Sequence, residues 1–221
     1  MWERDQSQRR GVAHIRGFLI ERGITVRQGP GPLRKALPEI LSSPTEVLSP
    51  RMVRLIADLS EDWRRLDERI DAVSAEIETL AENDGGCQRL MTVPGVGPII
   101  SSAMVAAIGN GGGFRQGRDF GAWLGLVPKQ ESTGDRTKLG KISKRGNRYL
   151  RTLFVQAAHV VLIRRPAAAM RGLWPWIERA AKRLAHRNLL AIALANKLAR
   201  IAWAVLARGR DYEPRITINA A

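Results

Sequence analysis

Two adjacent hydroxyls, Ser132 and Thr133, stand in the most basic stretch of the chain, within Pro128-Lys129-Gln130-Glu131-Ser132-Thr133-Gly134-Asp135-Arg136. Between Lys129 and Arg151 eight cations (Lys129, Arg136, Lys138, Lys141, Lys144, Arg145, Arg148 and Arg151) face two acids, Glu131 and Asp135. A hydroxyl that attacks a phosphodiester needs the charge developing on the non-bridging oxygens neutralised, and neighbouring Arg and Lys supply that. The same cations suit a phosphate backbone, with an affinity that falls steeply as salt rises. A Ser-Thr-Gly turn on a solvated basic loop has the same composition, and chemistry alone favours that plainer reading.

A second constellation is Val93-Pro94-Gly95-Val96-Gly97-Pro98, followed by the apolar Ile99, Ile100, Ala103, Met104, Ala107 and Ile108. Gly95 and Gly97 let the backbone turn tightly and approach a ligand closely. The unpaired N–H groups that open the next helix, with the positive helix end behind them, make an anion site. The pattern resembles the helix-hairpin-helix module, which grips a DNA backbone without reading bases. A tight turn between packed helices is the alternative.

The elements that must hold these residues read as helical. Pro30, Pro32, Pro38, Pro44 and Pro50 break up the first 50 residues, where one helix carries Ile15, Phe18 and Leu19. Met52, Ile56, Leu59, Trp63, Leu66, Ile70, Val73, Ile77 and Leu80 then alternate steps of 4 and 3, a heptad seam. Such a helix is about 45 Å long. It predicts a coiled coil, either in a helical hairpin or between two chains, and so a homo-oligomer joined through 52–80. After Asn83-Asp84-Gly85-Gly86 the chain reads as a second helical domain. A hairpin and helix cover 90–109, a short helix 118–126, a polar basic loop 127–142 and an amphipathic helix from about 144 to Pro166. A linker with Trp174-Pro175-Trp176 leads to a last helix over 188–208, closed by Gly209. The expected architecture is all-α: a helical segment at 1–49, a coiled-coil helix at 50–84, a compact domain at 87–210 and a tail at 211–221. The charged opening reads like the interior of a longer chain.

Composition narrows the function classes. The 36 Lys and Arg against 21 Asp and Glu leave a net charge of +15. A field of that size draws polyanions, above all nucleic acid. Charge alone would also allow a ribosome-associated protein. The single cysteine, Cys87, excludes an internal disulfide and fits a reducing cytoplasm. His14, His159 and His186 offer no metal-ligand spacing, so no metal site is expected in this chain. The stretch from Leu189 to Leu206 is long enough to span a bilayer, but Asn196, Lys197 and Arg200 within it favour a buried core helix. No secretory segment is evident, and no membrane partner is expected.

Three runs then carry a family resemblance: Leu90-Met91-Thr92-Val93-Pro94-Gly95-Val96-Gly97-Pro98, Phe120-Gly121-Ala122-Trp123-Leu124-Gly125-Leu126-Val127-Pro128, and Gly140-Lys141-Ile142-Ser143-Lys144-Arg145-Gly146-Asn147-Arg148-Tyr149-Leu150-Arg151. In this order they resemble the C-terminal domain of the IS110/IS1111 group of insertion-sequence transposases, closer to the second branch. The resemblance implies a protein that joins a RuvC-like domain, with a carboxylate quartet for Mg²⁺, to a coiled coil and a serine-bearing transposase domain. It implies oligomers that act on DNA under the guidance of a bridge RNA. The family's serine precedes a glycine beyond the Leu-Gly-Leu-x-Pro segment. Ser132 matches its Glu-Ser pair, and a gap-free count from Pro128 lands on Thr133 instead. The basic match at 141–151 carries over as nucleic-acid contact. Residues 1–49 lack the strands and carboxylates of the RuvC-like part. The implied function is DNA transposition, as the serine-bearing part of a recombinase. The alternative is a non-catalytic, nucleic-acid-binding and dimerising remnant or regulator.

Overall fold

The computed structural model describes residues 2–42, 47–133, 136–164, 172–184 and 186–214. Nine helices and one two-stranded hairpin appear among them, so the fold is mostly α as expected. The chain forms two compact units, Met1–Glu76 and Ile77–Ala221, and the division falls inside the long helix.

The first unit holds α1 (Trp2–Glu21), α2 (Pro30–Ser42) and most of α3 (Pro50–Asn83). Gly23, at φ 76, ends α1 in a left-handed turn, and the Ile24 N–H donates to Leu19 O at 2.9 Å. Arg16 Nη2 donates to the carbonyls of Arg27 and Gly29, which ties the following loop back onto α1. The core is Ile15, Leu19, Leu33, Leu37, Leu48, Ile56 and Trp63, with Met52 and Leu59 packed beside it. The upper half of the heptad seam is therefore used inside the chain. Below it, Leu66, Ile70, Val73 and Ile77 are half-buried and Leu80 is exposed.

The second unit contains α4 (Gly85–Met91), α5 (Pro98–Ile108), α6 (Gly117–Trp123), β1 (Pro128–Thr133), β2 (Arg136–Ile142), α7 (Arg148–Ile163), α8 (Trp174–Arg183) and α9 (Arg187–Arg208). Asp84 caps α4, its carboxylate accepting the Cys87 N–H at 2.7 Å. At the centre lies α9, which packs against α4, α6, α7 and α8. It buries Ala191, Leu194, Ala195, Leu198, Ala199, Ala202, Val205 and Leu206. This helix is long and apolar enough to cross a membrane by composition. Its buried stripe makes it the core helix of the unit, and each fully buried Leu contributes about 2 kcal/mol of transfer free energy. It ends at Gly209 in the left-handed conformation, as the sequence predicts. The chain then turns back, and the Tyr212 N–H donates to Thr92 Oγ1 at 2.8 Å, so the expected tail begins as a strap on the core.

Two expectations are corrected. The segment 127–142, expected as a loop, is an antiparallel ribbon pairing Gln130 with Leu139, Glu131 with Lys138, Ser132 with Thr137 and Thr133 with Arg136. Its polar composition hid the strands, because neither face is buried and no apolar alternation marks them. Trp174-Pro175-Trp176, expected as a linker, opens α8. Proline is accepted in the first turn, where no intrahelical partner exists for its missing N–H. Pro166 lies outside the described residues.

Candidate nucleic-acid interface

Glycine positions the basic segment. Gly125 (φ 70) and Gly146 (φ 88) lie where the backbone after α6 meets the backbone before α7. A Cβ at Gly125 would overlap the Arg145 carbonyl oxygen, and one at Gly146 would overlap that of Trp123. Only glycine permits that approach and that φ. Backbone bonds then lock the two segments together: Ser143 N–H to Val127 O at 2.8 Å, Lys144 N–H to Gly125 O at 3.1 Å, and Asn147 N–H to Trp123 O at 3.3 Å. Lys144 itself holds φ 55, the one non-glycine positive φ among the described residues. Two of the three family-like runs, 120–128 and 140–151, thus form one rigid piece.

The start of α7 completes it. The Asn147 side chain accepts the Leu150 N–H at 2.9 Å, a cap contributing about 1 kcal/mol. Leu150, Phe154, Ala157, Ala158 and Val161 drive the buried face of α7 into the core. Phe120 stacks on Trp123 at 5.9 Å and meets Phe154 edge-on at 6.2 Å, which fixes α6 against α7. On the outside, Lys129, Arg136, Lys138, Lys141, Lys144, Arg145 and Arg148 are all exposed. Arg151 differs from them. Its Nη1 donates to Leu124 O at 2.9 Å, and burial, then the charge of Arg148, pulls its pKa down. Arg151 therefore clamps α7 to the end of α6 in addition to carrying charge.

The ribbon projects from this piece. Ser132 and Thr133 are the last residues of β1, so both stand on a strand. Their side chains lie outside what the structure describes, as do residues 134 and 135. The register places Thr133 opposite Arg136 and Ser132 opposite Thr137. Both hydroxyl-bearing residues are thus at the far end of a strand whose partner carries Arg136, Lys138 and Lys141.

The glycine hairpin is built differently at its two glycines. Gly95 (φ 79) packs on α7, where a Cβ would come within 2.8 Å of Val161 Cγ2 and 3.1 Å of Ala157 O. Gly97 is the N-cap of α5, and a Cβ there would meet nothing within 4 Å. Its carbonyl accepts the Ser101 N–H and Ser101 Oγ, both at 3.0 Å, which closes the first turn. The packing role falls to Gly95 and the open helix end to Gly97. Among the described residues no three of His, Cys, Asp and Glu come together as a metal cluster. Sequence reasoning does not single out the locking pair Gly125 and Gly146, although each glycine stands inside a family-like run.

Residues 87–174 match the sequence profile described as "Transposase IS116/IS110/IS902 family". The chain is 40% identical over 201 residues to "Probable family 20 transposase" of Pseudomonas aeruginosa, covering 90% of this chain and 59% of that protein. It is 39% identical to "Transposase for insertion sequence element IS1328" of Yersinia enterocolitica, covering 90% of this chain and 58% of that protein. It is 36% identical to "Transposase for insertion sequence element IS1111A" of Coxiella burnetii, covering 91% of this chain and 55% of that protein. The chain thus spans little more than half the length of these relatives.

Proposed function

We propose, for a chain that belongs through residues 87–174 to the IS116/IS110/IS902 transposases, that the unit starting at Ile77 is its DNA-engaging part. The sugar-phosphate backbone is held by the exposed cations of the ribbon and of the start of α7. The observation that carries this reading is the glycine lock, which presents Lys141, Lys144, Arg145 and Arg148 from a fixed backbone. Fixed cations lose less freedom on binding than cations on a free loop. The open N-terminus of α5 at Gly97 is a further phosphate contact. The Gly95 turn holds that helix end against α7.

Ser132 is the proposed nucleophile on DNA, with Thr133 as the alternative. A strand residue at the ribbon end, with Arg136 and Lys138 near it on the partner strand, has cations at hand to neutralise a phosphodiester. It has no strong base among the described residues, and a serine proton is hard to remove near neutral pH. A Mg²⁺ ion does not fit the donors of this part of the chain, since no three of them cluster among the described residues. The serine chemistry is therefore proposed to need a metal-holding domain supplied with, or to, this chain. A guide RNA is a proposed partner on the same cations, the half-buried lower seam on α3 a proposed oligomer contact, and the bacterial cytoplasm the proposed place of action.

The second reading is a DNA-binding regulator without chemistry, and the scattered acids of the described residues favour it. One experiment separates the two. The chain alone, with Mg²⁺ and DNA, is expected neither to cleave nor to join strands. Adding the remaining domain of a full-length relative, with its guide RNA, should restore a covalent protein–DNA adduct. Ser132→Ala should abolish that adduct and leave DNA binding intact, while Thr133→Ala should do little. No adduct under any combination supports the regulator; the reverse pattern moves the nucleophile to Thr133.

A further inference from the structure

From Arg136 to Arg210 the chain carries 18 Lys and Arg and a single acid, Glu178. The ribbon and the start of α7 account for seven of those cations, from Arg136 to Arg151. A second group surrounds α8. That helix turns Ile177 and Ala180 into the core. Arg179, Lys182 and Arg183 are related as i, i+3 and i+4, so they share one stripe on the side away from those buried residues. All three are exposed, and so is Arg187, which follows a short junction and opens α9. The one acid, Glu178, accepts Trp174 Nε1–H at 2.6 Å and faces four cations, so the patch keeps a clear positive excess. The ion pairs of Arg34, Arg64 and Arg65 with Glu61, Asp67 and Glu68 lie in the first unit and do not involve this stripe.

Helix electrostatics explains only part of this arrangement. Lys182 and Arg183 sit in the last turn of α8, where a cation suits the negative helix end. Arg179 is a turn earlier and gains little from it. Arg187 is at the positive end of α9, whose first turn holds no acid. A cation there is repelled by the helix end, and an anion bound at this end removes that repulsion.

The stripe is separate from the first surface. The end of α7, at Leu162 and Ile163, lines the same groove as Glu178 and Arg187, whereas Arg148 and Arg151 stand at its start. The helix between them is about 24 Å long. We propose that α8 and the first residues of α9 form a second surface for a sugar-phosphate backbone, so that one chain holds two nucleic-acid segments at once. The inference rests on the DNA-binding reading of the ribbon and adds a second segment to it. A membrane surface is a poorer partner, because Ile177 and Ala180, the apolar face of α8, are already spent in the core.

The test counts ligands per chain with a hairpin-closed DNA of about six base pairs, roughly 20 Å long, too short to reach both surfaces. Native mass spectrometry of the full chain at low salt should find two such DNAs per chain. The variant Arg179→Ala/Lys182→Ala/Arg183→Ala/Arg187→Ala should bind one, and Lys141→Ala/Lys144→Ala/Arg145→Ala/Arg148→Ala should bind the other one. Arg179→Lys/Arg183→Lys/Arg187→Lys keeps the charge and should keep two, which separates lost charge from a damaged fold. An RNA hairpin of the same length run in parallel shows which nucleic acid each surface prefers. A single DNA per wild-type chain, two on the α8 variant, or α8-dependent binding of anionic vesicles instead of nucleic acid would each overturn the proposal. If the ribbon variant still binds two while the α8 variant binds one, the ribbon reading fails and this one stands.

Discussion

The two compact units carry their charge in opposite ways. Met1–Glu76 holds 13 Lys and Arg against 12 Asp and Glu, whereas Ile77–Ala221 holds 23 against 9. Nearly all of the net charge therefore resides in the second unit. Arrangement separates the two units further. In the first, Arg64 pairs with Glu61 at 2.8 Å and with Glu68 at 3.1 Å, Arg65 with Glu61 at 3.1 Å, and Arg34 with Asp67 beneath a cation–π contact to Trp63. Those charges answer one another on exposed helix faces, where each pair adds little stability and keeps the surface wet. In the second unit Glu131 faces Lys138 across the ribbon and Glu178 stands in α8, but cations far outnumber acids over 129–148 and along α8, and a glycine lock holds the first group in place. Charges that are paired at home support a helix. Charges left in excess on a fixed backbone need a partner from outside.

The lock is where the comparison breaks most visibly. Gly146→Ala forces a Cβ into the Trp123 carbonyl at a φ of 88, and Gly125→Ala does the same against Arg145. Each is expected to destabilise the second unit by about 3 kcal/mol or more, read by urea unfolding, because rigid backbone on both sides cannot yield. Gly97→Ala serves as the contrast, with nothing within 4 Å and φ −115, and should cost about 1 kcal/mol or less. Equal, small losses at all three positions would mean that the basic segment is held by something other than this backbone approach.

Charge comes next. Replacing Lys141, Lys144, Arg145 and Arg148 by Ala should lower DNA affinity. It should also flatten the plot of log affinity against log salt, by about one unit for each phosphate no longer neutralised. Replacing Arg64 and Arg65 in the first unit, cations already paired with Glu61, should leave that slope alone. A slope that responds to Arg64 and Arg65 instead would reverse the comparison between the units.

The sequence made some of this legible for physical reasons. The helical class, α3 and α9 follow from long one-sided apolar spacing, and Gly209 and Pro50 mark ends that the structure keeps. The basic run was legible because charge is additive and needs no fold to be counted. The ribbon was not, since a two-stranded hairpin exposed on both faces leaves no apolar alternation to detect. Nor was the lock, because Gly125 and Gly146 are 21 residues apart in the chain and only tertiary contact makes them indispensable. The heptad seam was legible as a seam, but its partner was not. Ile56 and Trp63 spend its upper half on α1 and α2.

The lower seam offers a smaller effect. Leu66→Glu with Ile70→Glu places charge on half-buried positions that no core cluster of the chain claims. If two chains join there, light scattering at tens of micromolar should show the mass fall from dimer to monomer without loss of helix content. A wild type already monomeric at that concentration would leave the seam as a purely internal feature. Ile56→Glu, by contrast, should unfold the first unit whatever the oligomeric state, since Ile56 is fully buried.

The smallest effect at neutral pH belongs to Cys87. Its thiol is pushed up to about 11, first by burial and then by its bond to, and the charge of, the Asp84 carboxylate. The folded state therefore holds this proton more tightly than the unfolded chain. The resulting stability is fully present below the unfolded thiol value near 9 and is lost as pH rises through about 11. Asp84 has the opposite sign. The Cys87 backbone N–H holds its carboxylate below the usual range, so that contribution fades only as acid protonates it. Cys87→Ala should thus cost a small, pH-independent amount up to about pH 9 for the lost packing. Above that its stability should fall less steeply than the wild type's, the difference not exceeding about 3 kcal/mol for a shift of this size. The buried thiol should also resist alkylation at pH 8 in the folded protein and react once urea unfolds it. Rapid alkylation of the folded chain, or parallel stability curves between pH 9 and 11, would show that the Asp84–Cys87 turn is open to solvent and that the second unit is looser at its start than at its lock.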